Sequence, residues 1–249
     1  MKKFAAKLAV AAAVVAMTAS AQAAAVIDNF TTGQAQLADS TTNGLGLSST
    51  VSGAGILGGY RDLYVTKLGD GNDDAFGSAV RIGVNPAGTG NLAFSSDSGQ
   101  NGYGIVRWDG AHFDGFSTID YTGLGGVNFA SDANGFEIKV TNADLNFPFT
   151  INAYTDATHW TSLTVISTGP GIYFIPFAAF GVLGTHGSGG AVNFGSIGAL
   201  EAVINTGGTI KDVDLQVDLV QRVPEPGSLA LAGLALMGAG LVRRRKSAK

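Results

Sequence analysis

The chain has 249 residues and no cysteine. That excludes disulfides, thiolate metal sites and cysteine nucleophiles together. Histidine is almost as scarce. His112, His159 and His186 stand at no spacing that an imidazole metal site uses. Nothing reads G-x-S-x-G or H-E-x-x-H, and the Gly-x-Gly pieces at Gly44-Leu45-Gly46 and Gly102-Tyr103-Gly104 lack the following helix that makes a phosphate loop. No fixed-period repeat is present, which argues against a solenoid or propeller. Between the two ends there is no helix-length amphipathic stretch.

What is present begins at the ends. Lys2, Lys3 and Lys7 precede an apolar run at residues 8–17, and Ala21-Gln22-Ala23 follows. This order of basic, apolar and small residues predicts a signal peptide over residues 1–23 and a mature chain starting near Ala24. At the other end stands Val223-Pro224-Glu225-Pro226-Gly227-Ser228, then an uncharged run at residues 229–242, then Arg243-Arg244-Arg245-Lys246. The two prolines fix their own φ and push their predecessors towards extended backbone, giving a stiff, exposed spacer. As a helix the apolar run is roughly 21 Å long at about 1.5 Å per residue, short of the roughly 30 Å hydrocarbon core. The arginines extend its reach by snorkelling. The basic cluster belongs on the cytoplasmic side, with everything before Pro224 outside.

These 27 residues resemble the PEP-CTERM signal of exported bacterial proteins. The resemblance implies processing by an exosortase and, before it, transient anchoring in the cytoplasmic membrane through a helix at about residues 228–242. The sorting residues it implies are Val223, Pro224, Glu225, Pro226, Arg243, Arg244 and Arg245.

Between the signals, residues 24–226 hold seven Lys and Arg against all 19 Asp and Glu, a net charge of −12 where the whole chain carries −4. Such a body repels phosphate backbones, so nucleic acid is not an expected partner. It favours solubility and multivalent cations.

Residues 24–222 suit one all-β domain. In the run 211–219, Val213, Leu215, Val217 and Leu219 share one face, while Asp212, Asp214, Gln216 and Asp218 share the other. Phe136, Ile138 and Val140 alternate with Glu137 and Lys139. Further strands are expected at 25–30, 61–67, 79–84, 91–94, 104–108, 147–154, 162–166, 171–175 and 200–205. About a dozen short strands with Gly- and Asn-rich turns predict an antiparallel β-sandwich.

Several words within the body carry a second resemblance. They are Ile27-Asp28-Asn29-Phe30, Leu57-Gly58-Gly59-Tyr60-Arg61, Trp108-Asp109-Gly110, Ile175-Pro176-Phe177 with Phe180, and Asp212-Val213-Asp214-Leu215. Their order resembles the galactose-binding-like jelly rolls, including some carbohydrate-binding modules. That implies a two-sheet jelly roll, often with a structural calcium, sometimes with a sugar site, and no catalytic residues.

Candidate chemistry falls in three places. Asp70, Asn72, Asp73 and Asp74 lie within five residues beside Gly69 and Gly71. Several oxygens on a turning backbone suit Ca²⁺, and the loop resembles one calcium-binding β-roll nonapeptide without its first glycine. A solvated turn is the competing reading. Trp160 shares its strand face with Ser162 and Thr164, and Trp108 adjoins Asp109 near Tyr103, Arg107 and His112. An aromatic platform beside planar hydrogen-bonding groups suits a pyranose, which makes Trp108, Asp109 and Trp160 the candidate ligand-binding residues. Sandwich cores also take tryptophan. Asp109 with Asp114, or Glu137 with Glu201, are the carboxylates that a hydrolase would pair. The expectation is an exported surface or matrix protein, non-catalytic and binding an extracellular polysaccharide. The alternative is a secreted polysaccharide-active hydrolase.

Overall fold

Runs that bury every second side chain can satisfy their backbone only against neighbouring runs, so the body must fold as paired sheets. A computed structural model describes residues 24–69, 77–85, 90–110, 116 and 118–224. Their strands in chain order are β1 Ala25–Asp28, β2 Gln34–Asp39, β3 Leu47–Ser52, β4 Tyr60–Leu68, β5 Val80–Val84, β6 Leu92–Ser96 and β7 Asn101–Trp108. There follow β8 Gly135–Ala143, β9 Phe147–Tyr154, β10 Trp160–Ser167, β11 Gly171–Pro176, β12 Thr185–His186, β13 Ala199–Ile204 and β14 Asp214–Val223. A short helix, α1 at Phe177–Leu183, lies between β11 and β12.

The strands form two seven-stranded sheets. The first is ordered β11-β8-β14-β6-β5-β2, with β1 also paired to β14, and the second β12-β10-β9-β13-β7-β4-β3. The architecture is the antiparallel sandwich that the alternation predicts. Ile82, Phe94, Phe136, Ile138, Leu215 and Val217 of the first sheet share one buried core with Leu63, Val65, Val106, Ile151, Leu163 and Ile204 of the second.

β14 departs from the expected phase. Val213, Leu215 and Val217 are buried, but Leu219 is half-buried and Val220 takes the inward place. The register against β8 slips between Gln216 and Val217 and again between Val217 and Leu219. A bulge turns the rest of a strand over by one residue, which alternation alone does not reveal.

Three of the short words that carried the jelly-roll resemblance, those at Asp28, Arg61 and Trp108, meet inside the sandwich. Arg61 is fully buried. One of its terminal nitrogens donates to Asp28 Oδ1 at 3.0 Å and Oδ2 at 2.9 Å, and its Nε donates to Gln34 Oε1 at 2.9 Å. The indole Nε1 of Trp108 donates to the same Asp28 carboxylate at 3.0 Å. Burial lowers the guanidinium pKa, and the Asp28 charge opposes that shift. These words are structural. They build a polar knot that ties β1, β4 and β7 together.

α1 contradicts nothing in the expected absence of a long helix, but it is an element that the strand pattern misses. Its Phe180 is buried, and Phe177 stacks on Phe194 with centroids 4.0 Å apart. Phe136 meets Phe177, Phe180 and Phe194 edge-on, so an aromatic cluster seats the helix.

Candidate functional site

Antiparallel register places one residue of each strand in a row across the outward face of the second sheet. Ser162, Asn152, Glu201, Arg107, Asp62 and Thr50 form such a row. Beside it lie Trp160 and Tyr154, which face each other across the β9–β10 hairpin. Asp156 sets that hairpin's turn. Its carboxylate accepts from the Thr158 and His159 amides at 2.8 Å each, and these bonds hold it well below the usual carboxylate range.

An open cleft of ≈ 450 Å³ forms there, lined by Tyr121, Asn152, Tyr154, Trp160, Ser162 and Thr185. Its volume lies within the range of small-ligand sites. The wall is aromatic. Tyr154 lies 6.4 Å from Trp160 and 5.3 Å from Tyr121, centroid to centroid. The polar groups are an amide, the hydroxyls of Ser162 and Thr185, and the tyrosines. Two glycines make the enclosure. A Cβ on Gly198 would stand 1.8 Å from the Tyr121 carbonyl, and one on Gly187 would stand 2.5 Å from Trp160 Nε1. No larger residue lets these segments close on the aromatic wall.

Behind the wall, Glu201 is buried and fully engaged. Its Oε1 accepts from Arg107 Nε at 3.0 Å and from a terminal guanidinium nitrogen at 2.9 Å. Its Oε2 accepts from the Tyr154 hydroxyl at 2.9 Å and from Asn152 Nδ2 at 3.4 Å. Arg107 also donates to the Thr118 carbonyl at 2.8 Å and lies 3.8 Å from the Phe116 ring centroid. Burial, and then the Glu201 charge, raise the Tyr154 hydroxyl pKa far above its ordinary value, so this group stays a proton donor. The result is an internally neutralised backing for a cleft whose described lining carries no charged side chain.

The expected site residues separate in space. Trp160 keeps the outward phase expected for it and is half-buried in the cleft wall. Trp108 faces the other way. Only 2 % exposed and bonded to Asp28, its ring is closed to a sugar, and the expected stacking role is corrected to core packing. Asp109 is likewise buried, with its Oδ2 accepting from the Asp120 amide at 3.0 Å, so it holds the following loop instead of a ligand. Glu137 and Glu201 stand on the outer faces of opposite sheets and cannot pair, and Glu137 accepts from Gln221 Nε2 at 2.7 Å. Asp114, His112 and the acidic loop Asp70, Asn72, Asp73 and Asp74 lie outside the described residues. So do Glu225, Pro226 and the tail to Lys249, Arg243, Arg244 and Arg245 included. Among the described residues no group of His, Asp and Glu is arranged to hold a metal, and no helix is long and apolar enough to cross a membrane.

Tyr154, Asn152, Tyr121 and Glu201 go unassigned as ligand residues in the sequence. Tyr154 was within reach, because a five-residue turn before Trp160 sets the two rings opposite each other. Tyr121 comes from a loop with no periodic signal.

Comparison with known proteins adds the following. The PEP-CTERM protein-sorting motif matches residues 222–246. No curated protein matches the sequence. Among solved structures the chain is similar to PfGH50B, with TM-score 0.38 and 11% identity, over 65% of this chain and 22% of that one. It is also similar to the Family 11 Carbohydrate-Binding Module from Clostridium thermocellum in complex with a β-1,3-1,4-mixed-linked tetrasaccharide, with TM-score 0.33 and 12% identity, over 77% of this chain and 96% of that one. The chain thus spans about a fifth of PfGH50B's length and nearly all of the module's. The sorting motif marks it as an exported protein sorted to the cell envelope or surface.

Proposed function

We propose that this is an exosortase-processed surface protein whose sandwich binds an uncharged extracellular polysaccharide in the Trp160 cleft and does not cleave it. Before processing, the apolar tail holds the chain in the cytoplasmic membrane. The observation that carries the binding reading is the cleft's composition. Three aromatic rings supply apolar faces, while amide and hydroxyl groups supply hydrogen bonds, and none of the described lining residues is charged. Sugar rings present this same combination of apolar face and hydroxyl rim. A hydrolase needs two carboxylates roughly 5–9 Å apart across the scissile bond. Glu201, behind the cleft wall, has its oxygens taken by Arg107, Tyr154 and Asn152.

The test is a glycan array probed with the purified protein and with Trp160→Ala, alongside a reducing-sugar assay on each polysaccharide bound. Binding by the wild type, its loss in the variant and no sugar release support the reading. Absence of binding, or release of reducing sugar, contradicts it. Calcium at Asp70, Asn72, Asp73 and Asp74 is a separate proposal. Lys67 Nζ, which donates to the Ser78 carbonyl at 3.3 Å and its Oγ at 3.1 Å, joins the two described ends of that segment.

A further inference from the structure

A helix on a water-facing surface carries polar side chains on its outer side. α1 does not. From Ile175 to Gly184 no side chain is charged or can donate or accept a hydrogen bond. The inner face is accounted for, since Phe177 and Phe180 enter the aromatic cluster. The outer face is equally apolar and is covered by none of the described residues. Ala178 and Gly181 are exposed, and Val182 and Leu183 are 81 % and 74 % exposed.

The place where the chain leaves the sandwich supplies the second observation. The Asn134 amide donates to the Val223 carbonyl at 3.0 Å, and the Phe177 amide donates to the Asn134 carbonyl at 2.7 Å. The last residue of β14 and the first residue of α1 are therefore two hydrogen bonds apart. Only five residues, 224–228, separate β14 from the tail's apolar run. Fully extended they span at most about 18 Å.

From these we propose that the outer face of α1, with Val182 and Leu183 as its most exposed side chains, is a lipid-facing surface that rests on the bilayer holding the sorting tail. The inference relies on the anchoring stated under Proposed function. It requires no strong intrinsic affinity, because a short tether keeps the face at high effective concentration beside the membrane. A net body charge of −12 supplies no attraction to anionic lipid, so the contact is apolar. One valine and one leucine offer a small fraction of the roughly 800 Å² per partner that a stable dimer buries, which disfavours a second copy as the occupant.

The absence of cysteine makes the test direct, since Val182→Cys creates a single thiol. The full, unprocessed chain carrying a spin label there is reconstituted in phosphatidylcholine vesicles. Leu45→Cys serves as the reference, because Leu45 is 78 % exposed and lies by Tyr64, near the opposite edge of the second sheet. The proposal predicts that the label at 182 loses several-fold more accessibility to an aqueous nickel chelate than the label at 45 and gains accessibility to oxygen. Adding Leu183→Asp should restore exposure to the chelate. Equal accessibility at both sites in vesicles that carry the protein on flotation overturns the docking and leaves the anchoring intact. A chain that does not float with the vesicles overturns the anchoring and the docking with it. Label–label broadening that grows with protein density identifies a second copy as the occupant and also overturns the proposal.

Discussion

Two tryptophans of one sandwich do opposite work, and truncation separates them. Trp108 fills the core, so Trp108→Ala should cost about 3–5 kcal/mol of stability in a denaturant melt. Trp160→Ala should cost clearly less stability and about 1–3 kcal/mol of polysaccharide affinity. Arg61 belongs with Trp108. Arg61→Ala leaves the Asp28 carboxylate buried without its counter-charge and should cost about 3–5 kcal/mol. Asp214 shows the reverse sign. Burial, then the charges of Asp144, Asp97 and Asp212, raise its pKa in the folded state. A raised carboxyl pKa favours folding below the unfolded value and loses that contribution as pH rises through the folded one. Asp214→Asn should therefore melt higher than the wild type at pH 7, with the advantage shrinking as pH falls through the carboxylate range. An advantage that is constant with pH counts against the electrostatic account.

At the scale of elements, the sequence shows strands where they bury something. Inner strands β4, β7, β8, β9 and β13 are legible within two or three residues, because Leu63, Phe136 and Ile151 alternate with polar or less buried partners and β7 and β13 are runs of β-branched and apolar residues around Val106 and Ile204. The three missed strands, β2, β3 and β12, all lie at sheet edges. Edge strands bury little and are held by backbone bonds, so β3, reading Leu-Ser-Ser-Thr-Val-Ser, carries no core stripe. α1 was hidden for a different reason. Seven apolar residues show no amphipathic phase, and only the aromatic cluster around Phe136 fixes them as a helix. Phe180→Ala should cost about 3–5 kcal/mol if that cluster seats α1. The loop carrying Asp70 to Asp74 yields an element-scale prediction too. Millimolar calcium over a site of ~10 μM affinity should add about 2.7 kcal/mol of stability, read as a shift in the melt against chelator. Coincident melts remove calcium from the account.

For the whole molecule, the two ends and the body were unequally readable. The sorting tail is legible because spacer, apolar run and basic stop are local in sequence. Intact-mass analysis of the mature protein should find the chain shortened beyond the Pro224–Pro226 region, and an unmodified Arg243–Lys249 tail on most molecules contradicts processing. The cleft is assembled from β9, β10, β12 and a loop after β7, so no single stretch announces it. Sequence phase supplied Trp160, whereas Tyr121, Asn152 and Tyr154 join it only through register and loop closure. The central claim is that this assembled aromatic wall holds a polysaccharide. It is tested most directly by calorimetric titration of the best array ligand into the wild type and Trp160→Ala. The account predicts measurable binding to the wild type and a roughly 5- to 150-fold weaker affinity for the variant, the equivalent of about 1–3 kcal/mol. Equal affinity in the two proteins, with the variant folded, contradicts it.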